Sequence, residues 1–182
     1  MADIEYRLAT ADDAAAIAAI YAPYVRDTIV SFETEVPDAA EIAARIERIG
    51  RQYPWLTATA DRRVVGYAYA CENRARLAYR WSVDAAVYLD PSAQRQGIGS
   101  GLYRRLFALL RAQGYVNAFA GISLPNAASV ALHEAIGFAL IGVHRNVGYK
   151  LGGWRDVGWW QLALCEPPGK PVEPIAIGDL NP

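Results

Sequence analysis

Apolar residues change rhythm repeatedly along this chain. Strand-like runs at Ile4 to Leu8, Trp55 to Ala60, Val64 to Cys71 and Tyr115 to Ile122 alternate with stretches whose apolar residues recur every three or four positions. Ile17, Ile20, Tyr21 and Tyr24 share one helical face, introduced by Thr10-Ala11-Asp12-Asp13 in the form of a capping box. Asp38 with Glu41 opens a second helix whose inner edge is Ile42, Ile46 and Ile49 and whose stop is Gly50. Asp61-Arg62-Arg63, set between two strand-like runs, predicts a hairpin. Leu102, Leu106, Leu109 and Leu110 keep the spacing of a half-buried helix that ends at Gly114. Asn126 to Ile136 predicts a last helix, and closing strands fall near Leu140 to Tyr149 and Gly158 to Leu164. The expected fold is α/β (α+β), a mixed sheet with helices on both faces.

At 182 residues the chain is long enough for one well-cored domain. Its only shift in composition comes late, where Pro167, Pro168, Pro171, Pro174 and Pro182 punctuate a polar segment. We therefore expect a domain over 1–166 and an extended arm over 167–182. A net charge of −1 with dispersed signs gives no basic stripe for nucleic acid and no acidic tail for a cationic partner. The longest apolar stretch, Ala14 to Ala22, is too short to span a membrane, and Asp12 and Asp13 before it are unlike a signal peptide. Cys71 and Cys165 lack metal-ligand spacing and read as buried, reduced thiols; no metal and a cytoplasmic setting are expected.

Chemistry enters at Gln94-Arg95-Gln96-Gly97-Ile98-Gly99-Ser100-Gly101-Leu102, where the apolar strand ending Ala85 to Leu89 hands over to the leucine-spaced helix. Glycines at such a junction let backbone N–H groups approach an anion, and the helix adds unpaired donors and its positive dipole end. A diphosphate suits this geometry. No Gly-Lys-Ser/Thr ending follows, so a Walker loop is excluded. A dinucleotide fingerprint is excluded too: Leu102 stands where its third glycine belongs, and no acidic residue follows near Tyr115 to Ala118. A glycine-rich turn that only starts a helix stays open at this point.

The remaining pattern, Gln-x-x-Gly-x-Gly, resembles the pyrophosphate loop of the GNAT acetyltransferases. Further segments resemble one branch of that superfamily, the phosphinothricin and methionine sulfoximine acetyltransferases: Tyr53-Pro54-Trp55-Leu56, Leu124-Pro125-Asn126, Ser129-Val130 with Leu132-His133-Glu134-Ala135-Ile136-Gly137-Phe138, and Gly152-Gly153-Trp154-Arg155-Asp156-Val157-Gly158. The resemblance runs over residues 4 to 166. It implies the GNAT acyl-CoA N-acyltransferase fold, a mostly antiparallel mixed sheet splayed at the acetyl-CoA site. It also implies transfer of acetyl from acetyl-CoA to the amine of a small amino-acid-like substrate, without a metal, by a homodimer.

Carried over residue by residue, the resemblance places the CoA arm against Val87, Tyr88 and Leu89, its pyrophosphate on Arg95, Gln96, Gly97, Ile98, Gly99 and Ser100, and a further hydrogen bond on Asn126. Asn126 also reads as a plain helix cap. Asp84 interrupts an apolar strand and is the candidate base, with a salt bridge to a neighbour such as Arg80 as its structural alternative. The branch usually has Glu at this position; losing a methylene shortens reach by about 1.5 Å and favours a water relay. His133 shares a face with Ser129, Leu132 and Ile136 and is the second catalytic candidate, where many relatives carry a proton-donating tyrosine. A satisfied core histidine is the alternative. His144 reads as a solvated loop residue. Arg74 and Arg76 suit an anionic acceptor, with Tyr79 beside them and Phe32 as an apolar wall. Solvated loop charges would account for the arginines equally. Two other readings stand beside this one: an N-acetyltransferase for a different amine (a polyamine or a protein N-terminus), and a non-catalytic acyl-CoA-binding module.

Overall fold

The computed structural model of the chain describes residues 3–180. In chain order the elements are β1 Ile4–Leu8, α1 Ala14–Asp27, α2 Ala39–Ile49, β2 Trp55–Ala60, β3 Arg63–Glu72, β4 Ser82–Leu89, α3 Ile98–Gln113, β5 Asn117–Leu124, α4 Ala127–Ala135, β6 Ala139–Lys150 and β7 Gly153–Ala163. They form one seven-stranded sheet in the order β1-β2-β3-β4-β5-β7-β6. Every neighbouring pair is antiparallel except β4 and β5.

Strand alternation divides the core. Val83, Ala85, Ala68 and Ala70 point to one face, where Leu102, Leu106 and Leu110 of α3 cover them. On the opposite face Trp55 and Tyr67 pack under Ile17, Ile20, Ile42 and Ile46 of α1 and α2. The predicted caps are present as hydrogen bonds. Asp38 Oδ1 accepts from Glu41 N at 2.8 Å, and Asp13 Oδ2 accepts from Thr10 N at 2.8 Å. Gly114 ends α3 at φ +94°, a left-handed conformation that glycine adopts without a Cβ penalty.

The closing hairpin is longer than the sequence pattern suggests. β7 begins at Gly153, paired with Lys150 across the turn Leu151-Gly152, whose φ angles are +49° and +75°. Such a two-residue turn matches the natural twist of paired strands. The added length is in β7; His144 falls inside β6, exposed, so it is a strand residue and not a loop residue. Cys165 lies just past β7 and is exposed, against the expectation of two buried thiols; both cysteines are free. No helix among the described residues is long and apolar enough to cross a membrane.

The proline-punctuated arm packs along one end of the sheet. Trp81 Nε1 donates to Val172 O at 2.7 Å, and Gln113 Nε2 donates to Ile175 O at 2.8 Å. Backbone bonds Ile175 N to Gln113 O and Ile177 N to Gln52 O, of 3.0 and 3.2 Å, extend the contact. Pro182 lies outside the described residues.

Candidate active site

The parallel junction in mid-sheet is short. β4 and β5 are in register only from Ser82 with Asn117 to Asp84 with Phe119. Beyond Asp84 the strands part, while β4 stays paired with β3 as far as Leu89. The opening leaves one edge of β4 from Ala85 onward without a strand partner. A cavity of ≈ 490 Å³ occupies this region, with Val87, Leu89, Gly97, Gly99, Ser100 and Asn126 in its wall.

Local chemistry explains why the cavity suits an anion. Gly97 is the N-cap of α3 at φ +78° and provides no side-chain acceptor, and the first helical bond runs from Gly101 N to Gly97 O at 2.9 Å. The N–H groups of Ile98, Gly99 and Ser100 therefore have no partner within the helix. Arg95, at φ +59°, also lines the cavity. Gln96 does not; its amide turns back to Ser92 O at 2.9 Å and braces the turn. Tyr88 directs its ring to the opposite face, against Tyr21, Tyr24 and Tyr67. The Leu89 carbonyl accepts from Tyr24 Oη at 2.7 Å. Asn126 Oδ1 caps α4 through Ser129 N at 3.2 Å, and the same residue lines the cavity. Tyr24 is a wall residue that the sequence pattern presented only as helical core.

Asp84 stands where the strands begin to part, on the sheet face covered by α1 and α2. Burial pushes its carboxyl up to about 6, opposed by a hydrogen bond from Asn73 and by the charge of Arg74. The Asn73 Nδ2 donor lies 2.6 Å from Asp84 Oδ1. Arg80 is not its partner; that guanidinium bonds Leu77 O and the Glu173 carboxylate. Cys71, the cross-strand neighbour of Asp84, is pushed up to about 11 by burial and by the Asp84 charge.

Cavities border this face on both sides. One of ≈ 430 Å³ is lined by Asn73, Arg74, Tyr79, Phe119, His144 and Trp159, with the Arg74 guanidinium 6.0 Å from the Trp159 ring centre. Another, of ≈ 400 Å³, is walled by Phe32, Ser31, Tyr88, Gly121 and Ser123. A third, of ≈ 690 Å³, lies between α2 and β3 and reaches Tyr69 and Cys71. Asp84 itself is in the wall of none of these cavities; Arg74 and Tyr79 share one with its hydrogen-bond partner Asn73, and Phe32 lines a separate one. Arg76 is exposed and borders none of these cavities. Around Phe32, the loop from α1 is held down by Lys150, whose Nζ donates to Ser31 O at 2.6 Å.

His133 lies elsewhere. It is only 4% exposed and lines none of these cavities. Its Nδ1 donates to Ser129 O at 2.7 Å, and its Nε2 accepts from Tyr103 Oη at 2.9 Å. Burial lowers its pKa, opposed by the bond to Ser129, so the ring is neutral with both nitrogens engaged. His133→Gln is expected to cost about 1–3 kcal/mol in stability, read by urea denaturation, with little change in kcat. A hundredfold fall in kcat at unchanged stability would instead place His133 in the proton path.

An opened strand edge beside a glycine-capped helix, with an isolated carboxylate where the strands diverge, is the architecture of an acyl-CoA-dependent acyltransferase. A family model described as an acetyltransferase (GNAT) domain matches residues 6–159. The chain is 44% identical over 173 residues to a phosphinothricin N-acetyltransferase of Streptomyces viridochromogenes, covering 94% of each. It is 35% identical over 163 residues to an L-methionine sulfoximine/L-methionine sulfone acetyltransferase of Salmonella typhimurium, covering 88% of this chain and 94% of the relative. The crystal structure of a GNAT superfamily phosphinothricin acetyltransferase from Sinorhizobium meliloti in complex with AcCoA superposes with a TM-score of 0.89 at 37% identity, covering 94% of this chain and 95% of that one. The chain belongs to the GNAT acetyltransferases, N-acetyltransferases whose acyl donor is acetyl-CoA. Among the described residues no group of three or more His, Cys, Asp or Glu could hold a metal ion.

Proposed function

We propose that this enzyme acetylates the amino group of a small anionic amino-acid-like acceptor of the phosphinothricin and methionine sulfoximine type, with Asp84 taking the proton from the incoming ammonium. The observation that carries this reading is the half-buried Asp84 carboxylate beside a cavity that also holds Arg74. Arg74 offers a planar fork for a carboxylate or phosphinate, and Phe32 walls the neighbouring cavity. A cationic polyamine would meet Arg74 with the wrong sign.

The proton path follows from these positions. An ammonium titrates near 10, so an ordinary aspartate near 3.9 would receive its proton at a large cost. Raised to about 6, Asp84 stays ionised at neutral pH and the gap narrows to about four pH units. The freed amine attacks the thioester carbonyl, and backbone N–H groups on the unpaired edge of β4 stabilise the oxyanion that develops. When the C–S bond breaks, the second amine proton passes to the departing thiolate and Asp84 releases its own to water. Acetyl-CoA supplies the activated acetyl group, with its diphosphate on the N–H groups of Ile98, Gly99 and Ser100. His133 supports α4 through Tyr103 and Ser129 and is given no part in this path.

Arg74→Met tests the acceptor assignment. The KM for phosphinothricin is expected to rise about tenfold, the loss of one charge-assisted contact, with KM for acetyl-CoA unchanged. An unchanged acceptor KM would put the anion elsewhere.

We also propose a homodimer through the edge at β6 and β7, where Leu140, Ile141, Val147, Tyr149, Leu151 and Trp154 are exposed. An apolar edge of this kind is an association surface unless it is covered. Trp154→Glu should sediment as a monomer, whereas a monomeric parent chain would refute the proposal. A cytoplasmic setting accords with two free thiols and acetyl-CoA as donor, and cell fractionation would test it.

A further inference from the structure

We propose that Asn73 is a positioning residue for the proton acceptor: its carboxamide holds one oxygen of Asp84, orienting a side chain that is too short to be fixed by strand packing alone. This rests on the reading of Asp84 given above.

The geometry is specific. Asn73 follows β3 directly, and its Nδ2 reaches across to Asp84 Oδ1 on β4 at 2.6 Å, a short, charge-assisted contact. Among the described residues Asp84 Oδ2 makes no hydrogen bond, so the fixed carboxylate keeps one oxygen for an ammonium or a relay water. Val83 and Ala85 point to the opposite face of the sheet, and among the described residues Asn73 gives the Asp84 side chain its one hydrogen bond; catalytic groups misplaced by about 1 Å lose about a hundredfold in rate. The amide donates more strongly to the ionised carboxylate than to the neutral acid, which offsets part of the burial penalty.

The groups facing Asp84 leave Asn73 without a substitute. On β3, Cys71 is a neutral thiol at working pH, and on β5 the register partner is Phe119. Arg48 of α2 acts on Cys71, and His144 of β6 borders the cavity without bonding the carboxylate. Arg74 acts by charge without a hydrogen bond to Asp84. Asn73, Arg74 and Tyr79 belong to one segment and line one cavity. The loop that receives the acceptor therefore also orients the group that deprotonates it.

The test is the pH profile of kcat/KM for phosphinothricin in the parent enzyme, Asn73→Leu, Asn73→Gln and Asp84→Asn. Leucine keeps the shape of asparagine without the donor, and the acid limb is expected to move up by about one pH unit, with kcat at pH 7 lower by about tenfold. Asn73→Gln, which retains a donor, should return the limb toward the parent position. KM for acetyl-CoA should be the same throughout, which checks that each variant is folded. A limb that stays put in Asn73→Leu overturns the role of Asn73, whatever happens to the rate. If the limb persists in Asp84→Asn, it is the assignment of Asp84 that fails.

Discussion

Asp84→Asn is expected to lower kcat/KM for the acceptor by about 10²–10⁴-fold while leaving acetyl-CoA affinity unchanged. Asparagine keeps the size and most of the polarity of the side chain but cannot receive a proton, so strand packing survives and the chemistry does not. The parent enzyme should lose activity below about pH 6, close to tenfold per pH unit, because burial holds the Asp84 carboxyl there and only its ionised form is a base. Stopped-flow thiol release at saturating acetyl-CoA would read both effects. Activity within threefold of the parent would mean that solvent deprotonates the acceptor and that Asp84 serves another purpose.

The second large effect is expected at the helix start. Gly97→Val should weaken acetyl-CoA binding by more than tenfold, measured by titration calorimetry. A Cβ at this position would meet nothing within 4 Å, so no clash opposes the change. The penalty comes from φ +78°, which a β-branched residue adopts only at about 1–2 kcal/mol. Escape from that conformation would rotate the first N–H groups of α3 away from the diphosphate. Unaltered affinity would show that this turn does not carry the pyrophosphate.

Much of this architecture was legible in the residue pattern because the signals are local. Apolar spacing marked α1, α2 and α3, Asp38 and Gly114 bounded helices through caps, and the glycine run after Leu89 marked the start of α3, where a cavity lies. Contacts between distant segments were not legible. Nothing near Asp84 in the chain announces Asn73 as its partner, since eleven positions separate them and only the β3–β4 register brings them together. His133 shows the opposite limit. Helical spacing turned it inward correctly, but its occupation depends on Tyr103, thirty positions away on another helix. Arg74 and Arg76 look equivalent in sequence, and only the course of the loop sends one to the cavity and the other to solvent.

The most direct test of the proposed function is thiol release from acetyl-CoA with phosphinothricin, methionine sulfone, spermidine and a short peptide offered as acceptors at equal concentration. Turnover is expected with phosphinothricin and methionine sulfone and not with spermidine or the peptide. Turnover confined to spermidine or the peptide, or acetyl-CoA binding without turnover of any acceptor, would contradict the assignment.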